Sequence, residues 1–133
     1  LEGAQIGVIC LYKNQVTLLT DMITRASMSP DFESVKEELL AIQISTVDAF
    51  QGAEKDIIIL STVRTDSLGF IDSPQRLNVS LTRGRNHLII MGSSPVLTSS
   101  SQWKVVLETA RRQGPRSFIS SHNILGGDFF SEV

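Results

Sequence analysis

The chain has 133 residues, 41% hydrophobic and 20% charged, which supplies one globular core and leaves too little length for two full domains. A single cysteine, Cys10, excludes an internal disulfide, and with two histidines there are too few soft ligands for a structural zinc site, so no metal is expected. Twelve basic against fourteen acidic side chains leave a net charge of −2, which alone points to no partner. The distribution says more. Residues 1–75 carry five basic and eleven acidic side chains, whereas residues 76–116 carry seven basic and one acidic. A polyanion such as phosphate would sit on that second, basic stretch. No apolar run reaches the roughly 18 to 20 residues that cross a bilayer, so no membrane partner and an intracellular place are expected. The chain opens at Leu1 rather than Met, so a piece of something longer is expected.

The first apolar run, residues 5–10, predicts a strand. Val16, Leu19, Ile23 and Ala26 recur at steps of three and four, which predicts a helix over 13–26. Residues 33–40 fit one or two helical turns or an acidic loop, and the pattern does not choose between them. A second strand over 41–46 alternates Ile42 and Ile44 with polar neighbours, as a strand near a sheet edge does. Strands over 55–62 and 87–92 are apolar on both faces in succession, which predicts a parallel sheet covered on both sides. Between these two, Ser73-Pro74 starts a helix and Gly84 suits its far end. Residues 93–101 read as a Ser-rich linker. Trp103, Val106, Leu107 and Ala110 mark a last helix that closes on Arg111, Arg112 and Gly114. Residues 114–133 read as a loosely held tail. The order is α/β, with right-handed crossovers between parallel strands.

Two segments concentrate polar chemistry. Residues 46–56, TVDAFQGAEKD, run from the end of one strand to the start of the next, where open α/β sheets bind ligands. The plain alternative is a polar turn with Gly52 left-handed and its acids solvated, and composition alone favours it. Residues 75–85, QRLNVSLTRGR, place Arg76 and Arg83 nearly two helical turns apart, a spacing that puts two phosphate-reading forks on one helix face. The alternative there is a solvated basic face paired with acids such as Asp72. His87, His122 and Trp103 have no partner at catalytic spacing and read as structural, and Cys10 reads as an inert buried thiol.

Taken together, TVDAFQGAEKDIIILSTVR and RLNVSLTRGR resemble motifs V and VI of superfamily 1 helicases of the up-frameshift type, a group that includes senataxin. Ile9, Tyr12 and Gln15 resemble motif IV, so the likeness covers about residues 5–113. Within the group, VDAFQGAEKDIIIL and NVSLTRGR, with Gly84 where most members have Ala, are most similar to helicases that carry a GRF-type zinc finger. The resemblance implies an α/β, RecA-like three-layer sandwich with a mostly parallel central sheet and helices on both faces. It makes residues 1–113 the second RecA-like motor domain of an ATP-dependent helicase and 114–133 a partly disordered tail.

The same resemblance implies roles residue by residue. Arg83 matches the arginine finger that meets the γ-phosphate of ATP, a group whose addition raises rates about 10³ to 10⁵ times. Gly52, Glu54, Gln51, Tyr12 and Gln15 match nucleotide-side positions, with Glu54 toward a ribose hydroxyl or a cleft arginine and Gln51 linking the ATP and nucleic-acid sites. Thr46, Asp48 and Thr82 match the single-strand surface. Arg76 and Asn78 hold motifs V and VI together. Where some relatives carry a second cleft arginine this chain has Val16, and Lys13 is the candidate replacement.

None of the nine glycines precedes a lysine, so there is no phosphate loop, and no strand ends in the Asp-Glu pair that would hold Mg²⁺. In this superfamily those parts belong to the first RecA-like domain, expected on the same polypeptide. It would hold most of ATP and Mg²⁺ and leave this piece inactive alone. The implied partners are that domain and single-stranded DNA or RNA, with motion from five-prime to three-prime and a nuclear location. The alternative is a non-catalytic RecA-like scaffold or nucleic-acid-binding domain of a degenerate helicase.

Overall fold

The computed structural model describes residues 2–50, 52–62, 73–114, 117 and 119. Gln51, Asp72, His122 and most of the expected tail lie outside the described residues. The chain forms two compact units, Leu1–Val96 and Leu97–Val133.

In the first unit the apolar runs become strands and the periodic stretches become helices. Strand β1 (Ile6–Cys10) leads into α1 (Lys13–Ser27), which matches the expected helix to within a residue. The undecided stretch is helical throughout. Ser29 caps a 3-10 segment (Pro30–Val35) by accepting the Asp31 N–H, and α2 (Lys36–Leu40) follows directly. Strand β2 (Gln43–Thr46), a 3-10 turn (Asp48–Phe50) and β3 (Lys55–Ser61) come next. Then follow α3 (Pro74–Leu81), β4 (Gly84–Met91) and the short α4 (Ser94–Leu97), which stands where a linker was expected. In the second unit, α5 (Ser101–Arg112) is capped by Ser100, whose Oγ accepts the Trp103 N–H. Its Trp103 is fully buried, as a packing residue is.

The described strands are all parallel, in the order β2-β1-β3-β4, with helices on both faces as an α/β, RecA-like fold requires. Right-handed crossover places α1 and α3 on opposite faces, because β1 to β2 steps one way along the sheet and β3 to β4 the other. Paired residues of parallel strands point to the same face. Gly7, Ile9, Ile58, Leu60 and Leu88 therefore line one face, and Val8, Ile44, Ile59 and Ile89 the other. The first face is the drier one: Ile9, Ile58 and Leu60 have no exposed surface.

Two sequence expectations need correction. Strand β4 is not covered on both sides; it is an edge of the described sheet, with Ile89 49% and Met91 57% exposed. Its apolar run mimics a central strand because hydropathy reports burial potential and not the neighbour that realises it. Gly84 does not end α3, which stops at Leu81, but begins β4 three residues earlier than the run suggested.

Phe50 is fully buried although it lies in the polar segment before β3. Room for its ring is made by Gly7: a Cβ there would come within 2.5 Å of Phe50 Cζ and 2.9 Å of Ile58 Cδ1. Gly7→Ala is therefore expected to destabilise the fold by about 1–3 kcal/mol through overpacking, read by urea unfolding. Cys10 is also fully buried, and loss of solvation pushes its thiol up to about 11. The folded thiol keeps its proton while the unfolded one loses it from about pH 9. Stability should thus fall by about 1.4 kcal/mol per pH unit between about 9 and 11. Cys10→Ser should flatten that slope, and iodoacetamide should label native Cys10 only after denaturant is added.

Candidate nucleotide and nucleic-acid faces

Parallel strands give the sheet two chemically distinct ends, and the functional side chains divide between them. Strand β3 is seven residues long, so the ends lie roughly 20 Å apart.

At the carboxyl end, β1 and β2 open into a groove of about 260 Å³ lined by Leu11, Tyr12, Lys13, Thr46, Val47 and Asp48. Tyr12 caps α1 with extended backbone, and its carbonyl accepts the Gln15 and Val16 N–H groups. Gln15 Nε2 donates to Ser61 Oγ at 2.7 Å, which ties the first turn of α1 to the end of β3. Gln15 Oε1 is buried and has no hydrogen-bond partner among the described residues. Thr46 Oγ1 accepts the Ala49 N–H at 3.5 Å, a long bond that leaves its own proton available to a ligand. Asp48, at the start of the 3-10 turn, takes Arg76 Nε and Nη2 on its two oxygens at 3.4 Å each. A second groove of about 210 Å³ lies beside that ion pair, lined by Val47, Asp48, Ser73, Gln75, Arg76 and Val79.

At the amino end, segment 52–55 meets the close of α3. Gly52 turns with φ +81°, the left-handed region that favours glycine, and a Cβ there would meet nothing within 4 Å. Its backbone thus offers open space for close approach. The Lys55 N–H donates to the Arg83 carbonyl at 3.0 Å. The Arg83 guanidinium folds back: Nε donates to the Val79 carbonyl at 3.2 Å, Nη1 to the Ala53 carbonyl at 3.4 Å and Nη2 to Thr82 Oγ1 at 3.2 Å. Thr82 Oγ1 in turn donates to the Asn78 carbonyl at 2.8 Å. Glu54 is exposed, immediately before β3.

The residues singled out in the sequence fall at both ends. Gly52, Glu54 and Arg83 come together at one end, and Thr46 and Asp48 at the other. Tyr12 and Gln15, grouped with the nucleotide residues, lie at the carboxyl end beside Thr46, because they follow β1 instead of preceding it. Thr82, grouped with the strand-binding residues, lies at the amino end holding Arg83. The helix that carries Arg76 stops at Leu81, so Arg76 and Arg83 do not share a helix face. Arg76 and Asp48 do join the two segments, and Asp48 is an acid that faces Arg76 among the described residues. Lys13 lies with Thr46 at the carboxyl groove and not with Arg83. Sequence reasoning missed Arg85, whose guanidinium faces Glu54 and Asp56; its signal was a third arginine in a run of alternating residues.

Comparison with known proteins bears on the whole arrangement. The family described as AAA domain matches residues 1–95. The 5'-3' DNA helicase ZGRF1 of Mus musculus is 48% identical over 109 residues, covering 81% of this chain and 6% of that protein. A regulator of nonsense transcripts 1 homolog of Arabidopsis thaliana is 39% identical over 108 residues, covering 78% and 8%. The ATP-dependent helicase upf1 of Schizosaccharomyces pombe is 39% identical over 103 residues, covering 74% and 10%. The chain thus spans a tenth or less of the length of these relatives. Fold, family match and relatives agree in one assignment: the chain belongs to the AAA domain family as the second RecA-like domain of superfamily 1, up-frameshift-type helicases.

Proposed function

We propose that this domain, over residues 1–113, is half of an ATP-dependent motor that moves five-prime to three-prime along single-stranded DNA or RNA and unwinds duplexes. The observation that carries the reading is the position of Arg83, a forked cation at the amino end of the sheet beside Glu54 and the open Gly52 backbone. Its three acceptors among the described residues are neutral oxygens, so the guanidinium can exchange them for a phosphate.

In that reading Arg83 is the arginine finger, and it meets charge developing on the transferred phosphoryl group. Thr82 and Ala53 hold it until the first RecA-like domain closes on this face. Glu54 accepts a ribose hydroxyl, and Gly52 lets the backbone approach. ATP supplies the phosphoryl group, and Mg²⁺ is held by the first domain, whose carboxylates this segment lacks. Gln51, between the two ends in sequence, links them.

The carboxyl end serves the strand. Thr46 donates to a backbone phosphate, Lys13 supplies charge in the same groove, and Asp48 fixes the loop through Arg76. Tyr12 lines that groove, and Gln15 ties the first turn of α1 to Ser61. Grip of this kind is mostly phosphate contact, weak in sequence preference and strong in salt dependence. A motor acting on nucleic acid works inside the cell, and a DNA substrate would place it in the nucleus.

The test is ATP turnover by the full-length parent, with and without single-stranded nucleic acid. Arg83→Ala should lower stimulated kcat by about 10³ while strand binding persists, and Arg83→Lys should recover little because it lacks the fork. Equal turnover by wild type and variant removes the finger role. A wild type that turns over no ATP supports the scaffold alternative.

A further inference from the structure

The acids at the amino end share a cation to which the helicase reading gives no role. Arg85 Nε lies 3.7 Å from Glu54 Oε2, and its Nη1 lies 3.5 Å from Asp56 Oδ1. Lys55, between those acids in sequence, turns away and donates to the Ala4 carbonyl at 2.7 Å.

Backbone register explains why Arg85 is there. Lys55 pairs with Gly84 but Ile57 pairs with His87, so β4 carries one more residue than β3 over this interval. Without that residue, His87 would fall opposite the buried Ile58, where Leu88 now packs. The bulge leaves Arg85 and Asn86 opposite Asp56 alone. Bulges are uncommon between parallel strands, and beside functional sites they re-aim a side chain. Gly84 closes this one tightly: a Cβ there would come within 2.6 Å of the His87 carbonyl oxygen.

Exposure separates the roles of the acids. The Asp56 side chain is 23% exposed and the Glu54 side chain 54%. Asp56 is the anchor, and Glu54 is the arm that reaches solvent. We propose that Arg85 is a positioning residue for Glu54: its planar fork spans Asp56 and Glu54 and holds the Glu54 carboxylate ready to accept a hydrogen bond from the nucleotide ribose. The inference rests on the nucleotide role of Glu54 given above. An exposed pair adds little to stability, so its effect belongs in substrate affinity.

The experiment measures KM and kcat for ATP in the full-length parent. Arg85→Ala should raise KM about 3- to 10-fold with kcat within about twofold of wild type, unlike Arg83→Ala. Arg85→Lys, a point charge that cannot span both acids, should restore part of the loss. Asp56→Asn should give a smaller rise. In a Glu54→Gln background Arg85→Ala should add nothing further. A wild-type KM for Arg85→Ala, or an equal rise in the Glu54→Gln background, overturns the proposal. A fall in kcat as deep as that of Arg83→Ala also overturns it, since Arg85 would then touch the reacting phosphate. If Glu54→Gln itself leaves KM unchanged, the nucleotide role of Glu54 fails; if it raises KM while Arg85→Ala does not, only the positioning role fails.

Discussion

Burial of the Phe50 ring over Gly7 fixes the path of the polar segment between β2 and β3, and both candidate faces depend on that path. The connection has to cross β1, because β2 and β3 lie on either side of it. Among its described residues it does so with a single 3-10 turn (Asp48–Phe50) and no longer helix. A segment this polar would not stay on a dry sheet face unless something apolar held it, and an aromatic side chain supplies more buried area than any other. Losing such an anchor costs about 3–5 kcal/mol in typical cores. Thr46 and Asp48 on one side of Phe50, and Gly52 and Glu54 on the other, are thereby delivered to opposite ends of the sheet.

Helix α3 runs in the same sense, from the carboxyl end of the sheet to the amino end. Arg76, near its start, meets Asp48 at the carboxyl end, and Arg83, just past its close, meets Ala53 at the amino end. The helix and the crossing segment are thus joined at both ends. The Asp48 side chain is 67% exposed, and such a pair is worth only about 0–1 kcal/mol, so it does not hold the fold together. Its consequence is geometric. The helix between the two contacts has eight residues, a rod of about 12 Å.

Much of this was legible in the sequence, for reasons that differ from residue to residue. Strand β1, α1 and α5 were readable because their apolar residues follow one period from end to end. Ser73-Pro74 announced α3 by local chemistry alone. The β4 start was hidden, because Gly84, Arg85 and Asn86 look like a turn, and only pairing with β3 makes them a bulged strand. Which end of a parallel sheet a residue joins follows from its place along the chain: Tyr12 and Gln15 come after β1, whereas Gly52, Glu54, Thr82 and Arg83 precede β3 or β4.

Three arginines crowd residues 76–85, and their partners decide which of them is free to move. Among the described residues, Arg76 and Arg85 each face a carboxylate, whereas Arg83 donates to two carbonyls and a hydroxyl. Hydrogen bonds to ionised acceptors are about twice as strong as those to neutral ones. A phosphate arriving at the amino end thus offers Arg83 an exchange that gains free energy. For Arg85 the same exchange sacrifices a charged partner already in place and leaves Asp56, the less exposed acid, without its cation. The run Arg83-Gly84-Arg85 therefore carries one fork on neutral acceptors and one beside carboxylates, separated by the glycine that begins the bulged strand.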